Sequence, residues 1–328
     1  MLLKLFKSNH PYVLFLIPLV GVALWIPTLF NVPVDVHTAN LGSTTFVFNW
    51  LQELLSYYPK ASIIFSLILI IIESYLLIWL NFKYVFIENR TYLPAVLYVV
   101  FASTLSAYQM LHPLLISNLF ILLAINKSFL LDNNKNHFKR YYESGLFLGL
   151  GALFYPNIYV FIFIVWLTMV VLRRFNWREW FSSVLGIATP FAFYIAFLFL
   201  TDKNQEVFYK LLAIFNTQAS ALSFSVYSLF AIGFLGFVTL ISLLMGLRVV
   251  GVKKISIRKY YSLFSLFLIY IIALFIMHPS LGYELIMPFA IPLSIICSIH
   301  FTEIRSKLVG EVLFMLTILS VFVIIWMQ

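Results

Sequence analysis

Long apolar runs broken by short polar stretches organise this chain from end to end, and the runs number eleven. A helix needs about 20 apolar residues to cross a bilayer, within a range of roughly 17–25. Pro11–Phe30 and Ala61–Leu80 meet that requirement directly. Pro94–Tyr108 and His112–Ile125 are shorter and separated only by Gln109–Leu111, and Gly145–Tyr155 and Asn157–Leu172 repeat the arrangement around Pro156. Trp180–Leu200, Ser225–Leu247, Tyr261–Met277, Glu284–Phe301 and Val309–Trp326 follow. The pattern predicts an all-α polytopic transmembrane bundle of about 11 spans, with residues 1–328 forming a single integral membrane domain. The longest loops, about 18–30 residues, are too short for an independent domain. Pro288 and Pro292, four apart, predict a kink in the tenth span. Gly145 and Gly149 present a small-xxx-small face for close helix packing.

The charges between the runs give an orientation. Stretches carrying 18 of the 21 Lys and Arg alternate with stretches that carry only Lys60, Lys203 and Lys210. Basic loops stay on the cytoplasmic side, so the N-terminus is expected inside and the C-terminus outside. The alternation requires each short run to count as a span; dropping one would place a basic loop outside. Short helices joined by tight turns are tolerated at membrane depth where protein encloses them.

Composition agrees. The chain is 63% hydrophobic and 10% charged, against roughly 45–50% apolar and about 25% charged for soluble domains, which excludes a soluble reading. The net charge of +9 lies in short inner loops, which fits anionic lipid headgroups and not nucleic acid. One cysteine, Cys297, excludes an internal disulfide and reads as a small buried residue. Met1–His10 is basic and leads into an apolar run without a small-residue cleavage site, which reads as a retained first helix of a bacterial inner-membrane protein. In Phe46–Tyr58, Asn49, Gln52, Glu53 and Ser56 form one polar stripe, the pattern of a helix lying at the membrane surface; Glu206–Phe215 reads the same way.

Candidate chemistry gathers on the expected outer face. Asp35, His37 and Asn40 follow the first span; Gln109 and His112 sit between the third and fourth, with Asn157 at the next outer turn. His278, Tyr283 and Glu284 lie between the ninth and tenth. A carboxylate with nearby imidazoles suits a divalent metal or paired acid and base, although loop residues are also polar simply because water is there. Asp35 is expected to lie beside at least one of Gln109, His112, His278 or Glu284. Glu73 stands apart: it falls mid-span in Ala61–Leu80, where an ionisable group costs at least ~2.5 kcal/mol and is expected to face the bundle interior with a polar neighbour. Asn118, mid-span in the fourth run, reads as interhelical glue. No Walker loop or HExxH is present, and Gly149-Leu150-Gly151 lacks the third glycine of a dinucleotide fingerprint.

Asp35, the Phe46–Tyr58 helix, the paired short helices through Leu172 and the small-residue run Glu143–Pro156 together resemble the GT-C fold of lipid-dependent glycosyltransferases over residues 11–200, with residues 201–328 as additional helices. The chain also resembles, in composition, polytopic inner-membrane proteins of Bacteroidota, which implies no activity. The GT-C resemblance implies transfer of a lipid-carried sugar at the outer face from a polyprenyl-phosphate-linked donor. Asp35 would be base or metal ligand, and His37 or His112 would assist. Gln109, His278, Glu284 and Lys60 would bind substrate, Lys60 as a phosphate contact. The departures are a second acid found only at Glu53, no soluble outer domain, and no outer arginine for phosphate. The alternative is a non-catalytic scaffold or accessory subunit of an envelope complex, its partners being membrane lipids and an envelope protein. A transporter is disfavoured because no broken-helix pair recurs in matching halves.

Overall fold

A computed structural model of the chain describes residues 2–8, 10–30, 48, 50–51, 53, 58–104, 109–129, 137–172, 176–200, 226–251, 253–277, 285–304 and 306–327. Among the described residues there is no strand. The helices are α1 (Leu2–Lys7), α2 (Tyr12–Phe30), α3 (Pro59–Tyr84), α4 (Leu93–Ala102), α5 (Pro113–Phe129) and α6 (His137–Ala152). A 3-10 turn (Pro156–Phe161) runs into α7 (Ile162–Leu172). Then come α8 (Trp177–Leu200), α9 (Val226–Val250), α10 (Ile255–Met277), α11 (Ile286–Glu303) and α12 (Lys307–Met327). Each of the eleven apolar runs is therefore helical over most of its described length. Six described stretches are long and apolar enough to cross a membrane: Tyr12–Phe30, Pro59–Tyr84, Trp177–Phe197, Ile255–Met277, Ile286–Glu303 and Lys307–Trp326.

The bundle is built around α4. All ten of its residues are buried, and it packs against α2, α3 and α11. Thr91 begins it by accepting the Leu93 N–H, one of the donors that a helix start leaves free. At about 15 Å it is half the thickness of a hydrocarbon core. It stops at Ala102, where the sequence pattern runs on to Tyr108, because the chain turns on its own hydroxyls. Thr104 donates to the Phe101 carbonyl, and Ser103 accepts the Trp25 indole N–H at 2.9 Å. α11 is almost as enclosed. Its Pro288 falls in the first turn, where a missing N–H removes no helix bond; Pro292 lies inside and withholds the bond to the Pro288 carbonyl.

The outside of the bundle is apolar. Phe15, Phe193 and Leu308 are 77%, 74% and 80% exposed, among many large aliphatic and aromatic side chains. Surfaces of this kind belong in lipid. Lipid tails are as apolar as leucine, so helices there are held by close packing and hydrogen bonds. The tightest contact is α6 on α8. A Cβ on Gly145 would stand 2.0 Å from the Ser183 carbonyl oxygen, and one on Gly149 2.7 Å from that of Ile187. A Cβ on Gly186, on the facing helix, would in return stand 2.2 Å from the Tyr142 carbonyl oxygen. The small-xxx-small face read from the sequence is this seam.

The turn after α3 is pinned by side chains. Val85 takes a left-handed conformation (φ 54°) that ends the helix, with its N–H on the Asn81 carbonyl. Asn81 then accepts the Ile87 N–H and donates to the Thr91 carbonyl. Phe86, fully buried, stacks edge-on against Phe129 and Phe264 with centroids 5.7 and 4.9 Å away.

Candidate functional site

Halfway along α3, Glu73 points into the bundle and is fully buried. Tyr98 of α4 donates its phenol hydrogen to Glu73 Oε2. The Asn118 amide of α5 donates to Tyr98 Oη at 2.7 Å and reaches Glu73 Oε2 at 3.5 Å. Three helices are thereby joined through one oxygen cluster. Neither Glu73 Oε1 nor Asn118 Oδ1 has a hydrogen-bond partner. An unsatisfied buried polar atom costs about 1–3 kcal/mol, so the cluster stands out from a bundle whose other buried hydroxyls mostly bond helix carbonyls. The sequence expectation for Glu73, an inward carboxyl with a polar neighbour, and for Asn118, a bridge between helices, matches this geometry.

A second polar set closes one end of the bundle. The Thr28 hydroxyl donates to Gln109 Oε1, and Gln109 Nε2 donates to the Ser103 carbonyl at 3.1 Å. Gln109 is completely buried and works as a cap on the end of α4. The Leu111 N–H donates to Ser62 Oγ at 3.0 Å, which docks the turn on the start of α3, beside exposed Lys60. His112 Nδ1 accepts the Leu114 N–H at 3.2 Å and so begins α5. Asn157, buried at the start of the 3-10 turn, donates to the Tyr155 hydroxyl at 3.1 Å.

Of the residues proposed from sequence, Gln109, His112 and Lys60 thus sit at one end of the bundle, with Glu73 and Asn118 together deeper inside. Asp35, His37, His278 and Glu284 lie outside the described residues, as do Glu206–Phe215 and most of Phe46–Tyr58. Among the described residues no group of three His, Cys, Asp or Glu is placed to hold a metal ion. Cys297 is buried, as its place in an apolar run implies.

At the opposite end, loops are clamped by charge. Lys253 donates to Glu88 at 2.5 Å and lies 3.0 Å from Glu303. The hydrogen bond from Lys253 holds the Glu88 carboxyl below its usual range, and the two carboxylates raise the lysine above its own. Tyr98 and the Lys253 clamp were missed in the sequence. The signal for Tyr98 was indirect: a mid-span carboxyl demands a donor from a neighbouring span, and α4 offers one phenol.

The chain belongs to the family of unknown function DUF6427, which matches residues 29–328. No curated protein and no solved structure matches it significantly.

Proposed function

We propose that this DUF6427 member is a multi-pass protein of a bacterial inner membrane. It has eleven membrane-embedded segments, a cytoplasmic N-terminus and an external C-terminus, and works as a non-catalytic scaffold or accessory subunit of an envelope complex. The observation that carries this reading is how the polar side chains are used. Gln109 caps α4, His112 Nδ1 starts α5, and Glu73 and Asn118 join α3, α4 and α5 through Tyr98. Groups committed in this way stiffen the frame on which a partner would dock.

A second reading, transfer of a lipid-linked sugar at the outer face, is favoured by one observation: two short helical hairpins, α4–α5 and α6–α7, follow α3. In that reading Asp35 is base or metal ligand, with His37 and His112 assisting. One experiment separates the two. Asp35→Asn keeps side-chain volume but removes the proton acceptor and strong metal ligand. In a strain lacking the native gene, the scaffold reading expects full complementation by this variant. Loss of complementation at normal membrane level and unchanged thermal stability would overturn the scaffold and leave the transferase.

A further inference from the structure

The Glu73 cluster is short of a hydrogen-bond donor. Its donors are the Tyr98 hydroxyl and the N–H groups of the Asn118 amide. Tyr98 donates to Glu73 Oε2, and Asn118 Nδ2 serves Tyr98 Oη at 2.7 Å and Glu73 Oε2 at 3.5 Å. Those contacts use every donor, and Glu73 Oε1 and Asn118 Oδ1 remain as buried acceptors without a partner. Both side chains are completely enclosed.

No cation stands near enough to neutralise a carboxylate there. α2, α4 and α5 pack against α3. α2 and α4 contain no Asp, Glu, Lys or Arg; their titratable groups are Tyr12, at the exposed start of α2, and Tyr98 itself. The one charge in α5 is Lys127, about 14 Å beyond Asn118 along the axis. On α3, Lys60 and Lys83 stand about 20 Å and about 15 Å from Glu73 along the axis. Tyr75, on the exposed face, donates to the Leu14 carbonyl, and Tyr84 lies in the last turn. α11, packed on α4, carries His300 and Glu303 in its last turn. A bare charge at this depth is costly. One proton on Oε1 removes the charge and supplies the missing donor. A divalent metal ion fits less well, because hard cations take six or more oxygens.

The sequence of α3 gives the site a direction. Ser62, Ser66, Leu69, Glu73, Leu77 and Leu80 recur at helical spacing on its buried face. Toward the Gln109 end that face carries two hydroxyls. Ser66 donates to the Ser62 carbonyl at 2.9 Å, and Ser62 Oγ accepts the Leu111 N–H. Toward the Lys83 end it carries buried Leu77 and Leu80.

We propose that Glu73, with Tyr98 and Asn118, is a proton-binding site inside the bundle, open to exchange at the Gln109 end along the Ser62–Ser66 face of α3 and closed toward the Lys83 end. Such a site makes the joint between α3, α4 and α5 responsive to acidity on one side of the membrane. It rests on the membrane reading of the chain, and on neither the scaffold nor the transferase assignment.

Infrared spectroscopy of the full chain in phosphatidylcholine vesicles tests the site, and flotation with the vesicles checks the membrane reading separately. At neutral pH the wild-type spectrum minus that of Glu73→Gln is expected to show a protonated-carboxyl band. An apolar carbodiimide, whose C=N bond takes up a carboxylic O–H by addition, is expected to mark Glu73 in wild type on peptide mapping. In heavy water the band shifts as the proton exchanges. Ser66→Ala is expected to slow that shift about ten-fold, roughly one hydrogen bond's worth at the barrier. Ser74→Ala, equally buried but off that face, is expected to leave the rate unchanged. A difference spectrum without the band would overturn the site; should the glutamine variant not fold, an unmarked Glu73 would do the same. Protection of Glu73 from the carbodiimide by sodium ions at constant pH would overturn the proton in favour of a metal cation. A band that never shifts in heavy water, or equal rates in Ser66→Ala and wild type, would overturn the exchange route.

Discussion

The α6–α8 seam gives a test whose sign changes with position. An alanine at Gly145 would place its Cβ 2.0 Å from the Ser183 carbonyl oxygen, and one at Gly186 would meet the Tyr142 carbonyl at 2.2 Å and the Leu146 nitrogen at 2.8 Å. Carbon–oxygen contacts relax at roughly 3.3 Å, so the two backbones must part by about 1 Å. A gap of that size forfeits between a quarter and a half of the dispersion well for each facing atom pair. Overpacking of this kind costs about 1–3 kcal/mol, and here the obstacle is backbone, which no rotamer change relieves. Alanine returns up to ~1 kcal/mol of helix propensity, leaving a net loss of about 0–2 kcal/mol, against a gain where no contact opposes it. Gly233 and Gly236 in α9 have nothing within 4 Å of a new Cβ, so there the propensity gain stands alone, up to ~1 kcal/mol each. The readout is a dodecyl-sulfate unfolding titration in mixed micelles. Trp166 is a local reporter, because its indole donates to Ser183 Oγ at 3.1 Å and its ring lies 4.9 Å from Trp180. Gly145→Ala and Gly186→Ala as stable as Gly233→Ala would refute the backbone-contact reasoning.

Two other perturbations follow from the polar contacts. Glu73→Leu leaves the Tyr98 hydroxyl without its acceptor and is expected to destabilise by about 1–3 kcal/mol in the same titration, whereas Glu73→Gln, which keeps an acceptor oxygen, stays within about 1 kcal/mol of wild type; a leucine variant as stable as the glutamine variant would show that the cluster holds nothing together. The Lys253 clamp carries a pH signature. Glu88 is held below its ordinary 4.5, so its contribution is full above that value and fades as pH falls through the folded-state value. Lys253 is raised above 10.5, so its contribution is full below that value and is lost as pH climbs through the folded-state value. Amide exchange in residues 86–92, corrected for intrinsic rate, should quicken on acidification in wild type and lose that pH dependence in Lys253→Gln; an unchanged profile in the variant would remove the clamp.

The helices were legible because their signals are long. Eleven apolar runs became helices, and their ends moved mainly where polar residues could continue a helix or stop one. α6 begins at His137, eight residues before the apolar run at Gly145, because helix geometry does not require an apolar face once the chain leaves the bilayer. α4 stops short of Tyr108 because the Thr104 hydroxyl and the Gln109 amide take up the Phe101 and Ser103 carbonyls that another turn of helix would have bonded. Gly145 and Gly149 were readable for the same reason as the spans: the pattern is local, four residues apart on one face. Gly186, which completes the seam from α8, has Ser182 and not a second glycine at that spacing, a weaker cue than the Gly145/Gly149 pair.

The polar contacts were legible by half, each through the member whose placement is anomalous. A carboxyl at mid-span must find a donor, so Glu73 announced a cluster, and Asn118 in the middle of α5 announced a bridge. Which phenol would supply the third member depended on the depth at which a ten-residue helix sits against a twenty-six-residue one, and sequence periodicity does not encode depth. Gln109 shows the converse. Charge alternation placed it at the outer turn, and there a polar residue reads as solvent-facing or substrate-facing. Burial reverses that meaning: with both ends of its amide bonded to Thr28 and Ser103, Gln109 serves as the missing last turn of α4. The same logic governs the basic residues. Eighteen Lys and Arg confined to alternate stretches predict an orientation by number alone. Only the folded arrangement shows that Lys253 meets two carboxylates, Glu88 and Glu303, whereas Lys127 and Lys139 meet at one, Glu143.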